Sequence, residues 1–311
     1  MKKVVRGLVI SAALGVAVYV GFAAYSDWGK VRDSLSSFRW ILFAAALALA
    51  AANYLIRFAR WQYYLRRLEL QVPFGRSLCI FLSGFTLTVT PGKLGEVVKS
   101  YFLRESDGVP MARTAPIVVA ERVTDLIALV LLAAGGALSY EIGSRGIYIG
   151  AALVAVFLLV VSSERLMRAL LSPLSKKLTE LYDSMILLVR PAPLAVATLL
   201  AVLAWSCECL AFWVVIHGFA GAQATVGLAT AIYAGSTIAG AVSPGGLGVT
   251  ELGMTTGLVT MGHGMDKATA FGATFVVRLA TLWFAVVVGM IALAIFQRRH
   301  HVAVDLAPAV K

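Results

Sequence analysis

The chain has 311 residues, of which 60% are hydrophobic and 14% are charged, and its mean hydropathy is +0.86. Soluble domains carry about 25% charged residues, so the composition excludes an ordinary soluble protein. It predicts an all-α polytopic membrane protein that forms one domain over residues 1–311. The net charge of +11 does not indicate nucleic-acid binding, because the basic residues fall beside apolar segments, where they set orientation and contact anionic lipids.

Six apolar segments are close to the length of a membrane span. We predict a transmembrane helix in each: 7–25, 40–56, 115–138, 146–162, 192–218 and 268–296. The first segment follows Lys2, Lys3 and Arg6, as a signal peptide also would. Its apolar core is longer than the roughly 7–15 residues of a signal peptide, so we expect an uncleaved helix, with cleavage as the alternative.

Two further apolar segments are interrupted by proline and glycine. Residues 78–90 lead into Pro91, and residues 228–242 lead into Pro244. A second short helical segment follows each break, at 94–105 and 247–262. Because proline ends a helix and half a span cannot cross a bilayer, we predict two re-entrant helical hairpins. Chance breaks in two ordinary helices are the alternative.

The two interrupted regions predict an inverted repeat. Gly95 precedes Arg122 by 27 residues, and Gly248 precedes Arg278 by 30, so each hairpin is followed by a helix with an arginine at membrane depth. Six spans and two hairpins put both termini in the cytoplasm with 18 of the 27 Lys and Arg residues. The repeats, about 78–138 and 228–296, then face opposite ways, as in alternating-access transporters.

Two segments predict contacts at the membrane surface. Residues 57–67 hold four arginines and several aromatic residues at the end of the second span. We interpret them as an interface anchor, with binding of an anionic head group as the alternative. Residues 163–191 mix basic, acidic and apolar residues, which favours an amphipathic helix on the cytoplasmic surface.

The hairpin turns predict an anion site. Thr90 and Ser243 each precede a proline, where a hydroxyl can cap the free amides at a helix start. The glycines behind them let a ligand approach the backbone, and a helix N-terminus at membrane depth favours an anion. Lys93 adds positive charge to the first turn. Alternatively, the glycines only shape the turns and neighbouring carbonyls bind the amides.

Ionisable residues at membrane depth are costly and are either paired or functional. They are Glu96, Lys99, Glu121, Arg122, Asp125, Glu208, Glu251 and Arg278. Arg122 and Asp125 can pair on one helix face, whereas Glu121 points elsewhere. We expect Arg122 and Arg278 to bind a lipid phosphate or to brace the hairpins. Glu96 and Glu251 either couple protons or cap the hairpins, and structural ion pairing is the alternative for every one of these residues.

The candidate substrate-binding residues combine both clues. They are Thr90, Gly92, Lys93, Gly95, Glu96, Arg122, Asp125, Ser243, Gly245, Gly248, Glu251 and Arg278. We expect no catalytic residue, metal site or cofactor, because no ligand-spaced histidines or cysteines and no nucleotide-binding motif occur in the sequence.

The segments 57–61, 90–96, 121–125 and 243–251, taken together, resemble the lysylphosphatidylglycerol synthase transmembrane region, also called the flippase-like domain family. The resemblance covers about residues 7–296 and implies lipid translocation in a bacterial cytoplasmic membrane. Stand-alone members are linked to polyprenyl-phosphate sugars, hopanoids or phospholipids, so the cargo stays open. In the multiple peptide resistance factor such a region is joined to a soluble aminoacyl-transferase domain. The resemblance does not extend to that domain, so we expect no synthase activity.

These observations favour a lipid flippase that acts on an anionic or phosphate-containing lipid. Its expected partners are membrane lipids and, as an open question, further copies of itself. One alternative is an integral-membrane transferase that uses Glu96, Glu121 or Asp125 as base or metal ligand. The other is a non-catalytic partner of a lipid-modifying enzyme or a small-solute transporter.

Overall fold

The computed structural model describes residues 28–88, 97–138, 176–241, 243–262 and 265–300. These residues form helices and turns and contain no β-strand, as the all-α prediction requires. The predicted spans at 7–25 and 146–162 and the first predicted Pro-Gly turn lie outside the described residues.

The helices, numbered in chain order, follow the predicted segments closely. They are α1 (Trp28–Ser36), α2 (Trp40–Arg67), α3 (Phe74–Ser83, extended by a 3₁₀ turn at Gly84–Leu87), α4 (Val98–Asp107), α5 (Met111–Leu138), α6 (Lys176–Val189), α7 (Pro191–Ile216), α8 (Val226–Gly240), α9 (Val249–Met261), α10 (Lys267–Arg278) and α11 (Phe284–His300). A 3₁₀ turn at Pro244–Gly246 separates α8 from α9, and a π-helical turn at Leu279–Trp283 joins α10 to α11.

Three of the described helices are long and apolar enough to cross a membrane: α2, α7 and the continuous α10–α11. Helix α5 is as long as α2, with 28 residues that span about 42 Å. Unlike α2, it carries three charged residues near its middle. Exposed leucine, isoleucine, valine and methionine side chains follow the outer faces of these helices, as lipid contact requires. Helix α2 continues past the predicted end of its span at residue 56.

Two pairs of short helices form antiparallel hairpins. In hairpin 1, formed by α3 with its 3₁₀ turn and by α4, Arg76 pairs with Asp107 at the open base, and Gly84 faces Lys99 nearer the tip. In hairpin 2, formed by α8 and α9, Gly253 packs on Ser236, and Gly257 packs on Ile232. The glycines bring the hairpin arms close together, as small residues do between membrane helices.

The bases of the two hairpins lie at opposite ends of the helix bundle. Helix α5 begins beside the base of hairpin 1 and ends where Gly136 meets Gly227 at the base of hairpin 2. Helices α10 and α11 run the other way, from the base of hairpin 2 to Phe296, which packs on Phe102 of hairpin 1. The two hairpins therefore point toward each other from opposite ends, and each is followed by a long helix that runs to the far end.

Each long helix also packs against the first arm of the other hairpin. A Cβ at Gly136 of α5 would stand 2.5 Å from the Gly227 carbonyl oxygen of α8, and one at Gly289 of α11 would stand 2.5 Å from the Thr86 amide nitrogen of hairpin 1. These distances leave no room for a side chain. Backbone contact at two glycines thus joins each hairpin to the long helix that follows the other hairpin.

Replacing Gly136 by valine tests this packing. We expect Gly136→Val to lower the free energy of unfolding by about 1–3 kcal/mol, because the new side chain clashes with the α8 backbone rather than with movable side-chain atoms. Denaturation with sodium dodecyl sulfate in mixed micelles measures the change. The matched control is Gly135→Val, since a Cβ at Gly135 meets nothing within 4 Å. Equal destabilisation by both variants would contradict the proposed close contact.

The two ends of the bundle differ in charge. The hairpin-1 end carries the exposed residues Arg66, Arg67, Arg104, Arg113, Arg190 and Arg298, whereas the hairpin-2 end carries Lys30, Arg32, Arg39 and Lys267. At the hairpin-2 end, Asp266 caps α10 by accepting the amides of Ala268 and Thr269. Partial burial raises the pKa of Asp266, but the hydrogen bonds from Thr269 and Ala268 lower this pKa by more, so it lies below its usual value.

Candidate functional site

A cavity of about 330 Å³ lies where the two hairpins approach each other. Phe85 and Thr88 border it from hairpin 1. From hairpin 2 it is bordered by residues of α8, of the turn and of the start of α9: Tyr233, Thr237, Ile238, Gly240, Ala241, Ser243, Gly245, Gly246 and Thr250. Its remaining walls come from α2, α5 and α7, and from the ends of α10 and α11 with the π-helical turn between them. The charged residues that line it, among those described, are Arg57, Arg122, Arg278, Asp125 and Glu208.

Asp125 of α5 is the centre of one charged cluster in the cavity wall. Its Oδ1 accepts a hydrogen bond from Nη1 of Arg60 at 2.8 Å, and its Oδ2 lies 2.9 Å from an Nη2 atom of both Arg57 and Arg122. Arg60 is 1% exposed and also donates to the Thr124 hydroxyl. The predicted Arg122–Asp125 contact is present, and two arginines from α2 join it.

A second ion pair ties hairpin 1 to α5. Lys99 of α4 donates to Glu121 Oε2 at 2.6 Å, and both residues are buried. The Lys99 ammonium also lies 4.8 Å from the ring centroid of Trp61 and 5.5 Å from that of Phe81. The Glu121 carboxylate and two aromatic rings therefore stabilise the buried ammonium group of Lys99 in place of water. As predicted, Glu121 and Arg122 point in different directions.

Hairpin 2 carries the corresponding pair with the charges exchanged. Arg278 Nε donates to Glu251 Oε1 at 2.7 Å, and Arg278 Nη2 donates to the Gly245 carbonyl at 2.9 Å. The other oxygen of Glu251 accepts the Gly248 amide at 2.7 Å. Arg278 thus braces the tip of hairpin 2, and Glu251 both caps α9 and holds Arg278.

The turn of hairpin 2 differs from the prediction. The hydroxyl of Ser243 was expected to cap helix amides, but it donates to the Gly240 carbonyl at 3.1 Å. Helix α9 begins only at Val249, because Gly245, Gly246 and Gly248 turn the chain first, with φ values of 61°, 77° and 84°. The capping group of α9 is the Glu251 carboxylate, so the prediction for Ser243 was wrong.

An aromatic wall from α2, α7 and α8 completes the cavity. Tyr233 donates to Glu208 Oε2 at 2.7 Å, and Trp205 lies one helical turn before Glu208. The guanidinium carbon of Arg57 is 5.4 Å from the Trp205 ring centroid. Tyr54 donates to the Thr281 carbonyl at 3.0 Å, within the π-helical turn. Such turns often occur at functional sites, since they free backbone carbonyls for side-chain contacts.

The indole nitrogen of Trp205 and the hydroxyl of Thr88 lie on residues of the cavity wall, and both atoms are buried. Neither has a hydrogen-bond partner among the described residues. Buried polar groups are nearly always hydrogen-bonded. A polar group inside the cavity would meet this requirement.

The family profile of the lysylphosphatidylglycerol synthase transmembrane region matches residues 8–289. This chain belongs to that family. The match confirms the predicted resemblance and indicates a multi-pass membrane protein with a function related to membrane lipids. A comparison with curated proteins found no match.

The cavity brings together five of the predicted substrate-binding residues: Arg122, Asp125, Ser243, Gly245 and Arg278. Gly248 and Glu251 do not belong to its described lining, and they shape and brace hairpin 2 instead. The remaining predicted residues, Thr90, Gly92, Lys93, Gly95 and Glu96, lie outside the described residues.

Several cavity residues were not among the predicted substrate-binding residues. They are Tyr54, Arg57, Trp205, Glu208 and Tyr233. A signal for Arg57 was present, since Arg57 and Arg60 are one helical turn apart and share a helix face. For Tyr54 and Tyr233 the sequence offers no such signal, because tyrosine is common inside membrane helices near their ends.

Proposed function

We propose that this protein moves a phosphate-containing lipid across a bacterial cytoplasmic membrane and holds the lipid head group in the cavity between the hairpins. The observation that carries the proposal is the position of this cavity. It lies between two helical hairpins that extend from opposite ends of the bundle, and three arginines line it. Paired broken helices of opposite direction are the usual frame of a transport site near the bilayer midplane.

The lining favours a head group with a phosphate. Arg57, Arg122 and Arg278 outnumber the carboxylates of Asp125 and Glu208 among the described lining residues. Guanidinium groups bind phosphate through two parallel hydrogen bonds. A cavity of about 330 Å³ is large enough for a head group but not for acyl chains, so the chains stay in the bilayer while the head group crosses.

The charge difference between the bundle ends supports an orientation. The hairpin-1 end carries more exposed arginines, so we propose that it faces the cytoplasm. Hairpin 1 is then re-entrant from the cytoplasm and hairpin 2 from the outer side, with both chain termini in the cytoplasm. Membrane lipids are the proposed partners, and self-association of the protein is a further proposal.

The same contacts argue against a transferase. A general base or metal ligand needs a carboxylate that can accept a proton or a cation. Of the three carboxylates considered for such a role, Glu96 lies outside the described residues, Lys99 binds Glu121, and arginines bind both oxygens of Asp125. We therefore propose a transporter without catalytic activity of its own.

A translocation assay in vesicles tests the proposal. Purified protein reconstituted with fluorescent phosphatidylglycerol should accelerate its transfer between leaflets over empty vesicles. Arg122→Gln should reduce the rate by about tenfold or more, because a charged hydrogen bond to the phosphate contributes about 1.5–3 kcal/mol. Arg104→Gln, on an exposed site at the end of α4, is the control and should keep the wild-type rate.

Two outcomes would contradict the proposal. One is a wild-type rate no faster than that of empty vesicles for phosphatidylglycerol and for a polyprenyl phosphate. The other is an equal rate for wild type and Arg122→Gln, provided that both proteins are folded and inserted to the same extent.

A further inference from the structure

The three arginines around Asp125 differ in their access to the cavity. The Arg60 side chain is 1% exposed and is not part of the described cavity lining. The side chains of Arg57 and Arg122 are 14% and 29% exposed, and both line the cavity. One arginine therefore holds Asp125 from behind, and two hold it from the cavity side.

The two carboxylate oxygens of Asp125 follow the same division. Oδ1 binds Arg60, whereas Oδ2 lies between Arg57 and Arg122, at 2.9 Å from each. An anionic oxygen held by two guanidinium groups at this distance has the geometry of a bound phosphate oxygen. Asp125 Oδ2 thus occupies the position that a ligand phosphate would take between these two arginines.

We propose that Asp125 is a built-in substitute for the phosphate of the ligand, and that this phosphate binds Arg57 and Arg122 in exchange for Asp125 Oδ2. The inference rests on the proposed function, in which a head group enters this cavity. Arg57 and Arg122 are then the residues that recognise the phosphate. Arg60 is a positioning residue that acts through Asp125.

The third arginine gives this exchange a physical basis. A buried carboxylate that loses all its cationic partners is strongly destabilising. Because Arg60 stays on Oδ1, Asp125 remains neutralised while Arg57 and Arg122 turn to the ligand. When the ligand leaves, Oδ2 rebinds both arginines, so each guanidinium group regains its contact with the carboxylate in the empty cavity. Asp125 therefore weakens phosphate binding and promotes release.

The direction in which substitution of Asp125 changes the affinity for lipid separates this role from a structural one. Asp125→Asn removes the competing charge and should tighten the binding of spin-labelled phosphatidylglycerol by about tenfold, the value of one charged hydrogen bond. Asp125→Glu keeps the charge between the arginines and should bind no more tightly than wild type. A purely structural Asp125 would predict weaker binding for both variants.

Asp107→Asn provides a matched control. Asp107 also pairs with an arginine, Arg76, but at the base of hairpin 1 rather than at the cavity. Its substitution should leave the dissociation constant within about twofold of wild type, since neither Asp107 nor Arg76 belongs to the described cavity lining. Unchanged or weaker binding by a folded Asp125→Asn variant would overturn the proposal.

A measurement on the wild-type protein covers the case in which Asp125→Asn does not fold. With ¹³C-carboxyl-labelled aspartate, addition of phosphatidylglycerol should shift a carboxylate band in the infrared difference spectrum, because Oδ2 changes partners. No shift at saturating lipid would overturn the exchange.

Two probes distinguish the sources of the phosphate. Tighter binding of both phosphatidylglycerol and inorganic phosphate to Asp125→Asn supports exchange with a lipid phosphate. Tighter binding of inorganic phosphate alone assigns the site to a free anion and overturns the lipid assignment. These assays measure binding alone, so they can support the exchange even if vesicles show no translocation. Conversely, if the lipid is translocated but Asp125→Asn binds it as wild type does, only the exchange is rejected.

Discussion

Replacing Arg278 by methionine should lower the free energy of unfolding by about 3–5 kcal/mol. The change removes the cation opposite Glu251, which is 0% exposed, and breaking a buried pair from one side costs about this much. It also removes the hydrogen bond to the Gly245 carbonyl, so the tip of hairpin 2 loses its brace. Denaturation with sodium dodecyl sulfate in mixed micelles measures the loss, and translocation should fall with it.

Two further variants make this prediction specific. The double variant Arg278→Met with Glu251→Gln should recover most of the stability, because glutamine can still accept the Gly248 amide without leaving a buried charge. Arg298→Met, at an exposed position near the end of α11, should have little effect. If the double variant is as unstable as the single one, the charge of Glu251 is not the cause of the loss.

The Lys99–Glu121 pair should give the second large effect. Lys99→Met leaves the buried carboxylate of Glu121 without its 2.6 Å ammonium contact and should also cost about 3–5 kcal/mol. Adding Glu121→Gln should recover most of the stability, since a buried neutral amide costs far less than a buried carboxylate without its cation. Together with the single variant Glu121→Gln, these proteins form a double-mutant cycle, for which we expect a coupling energy well above about 1 kcal/mol.

Hairpin 1 contains its own control for this cycle. The Arg76–Asp107 pair joins the same two helices, but its side chains are 29% and 12% exposed. Arg76→Met should cost about 1 kcal/mol, because the pair is partly exposed and the Asp107 carboxylate still accepts the Ser106 hydroxyl. Equal losses for Lys99→Met and Arg76→Met would mean that burial does not determine the contribution of these pairs.

The sequence predicts the helical frame well, and the reason is local. Proline and glycine end a helix whatever surrounds them, so the arms of hairpin 2 were predicted at 228–242 and 247–262 and occur at Val226–Gly240 and Val249–Met261. The turn between them was less predictable. Three glycines with positive φ delay the start of α9, and Ser243 therefore cannot reach its amides.

The charge pairs depend on contacts that the sequence does not encode locally. Arg122 and Arg278 occupy similar places along the two predicted repeats. The pair that corresponds to Glu251–Arg278 beside hairpin 1 is nevertheless Lys99–Glu121. Neighbouring helical residues point about 100° apart, so a shift of one position exchanges Arg122 for Glu121 at the hairpin contact. The sequence indicated only an interface anchor at Arg57 and Arg60, because their partner Asp125 lies on another helix, far along the chain.

The packing of each long helix on the opposite hairpin has a consequence for how such a chain can be built. A protein made of residues 74–138 alone would lack the helix that contacts Phe85 and Thr86 through Gly289. To cover that surface it would need a partner that supplies a helix running the other way. The full chain supplies this partner within one polypeptide, so the covering of hairpin 1 does not depend on association with a second molecule.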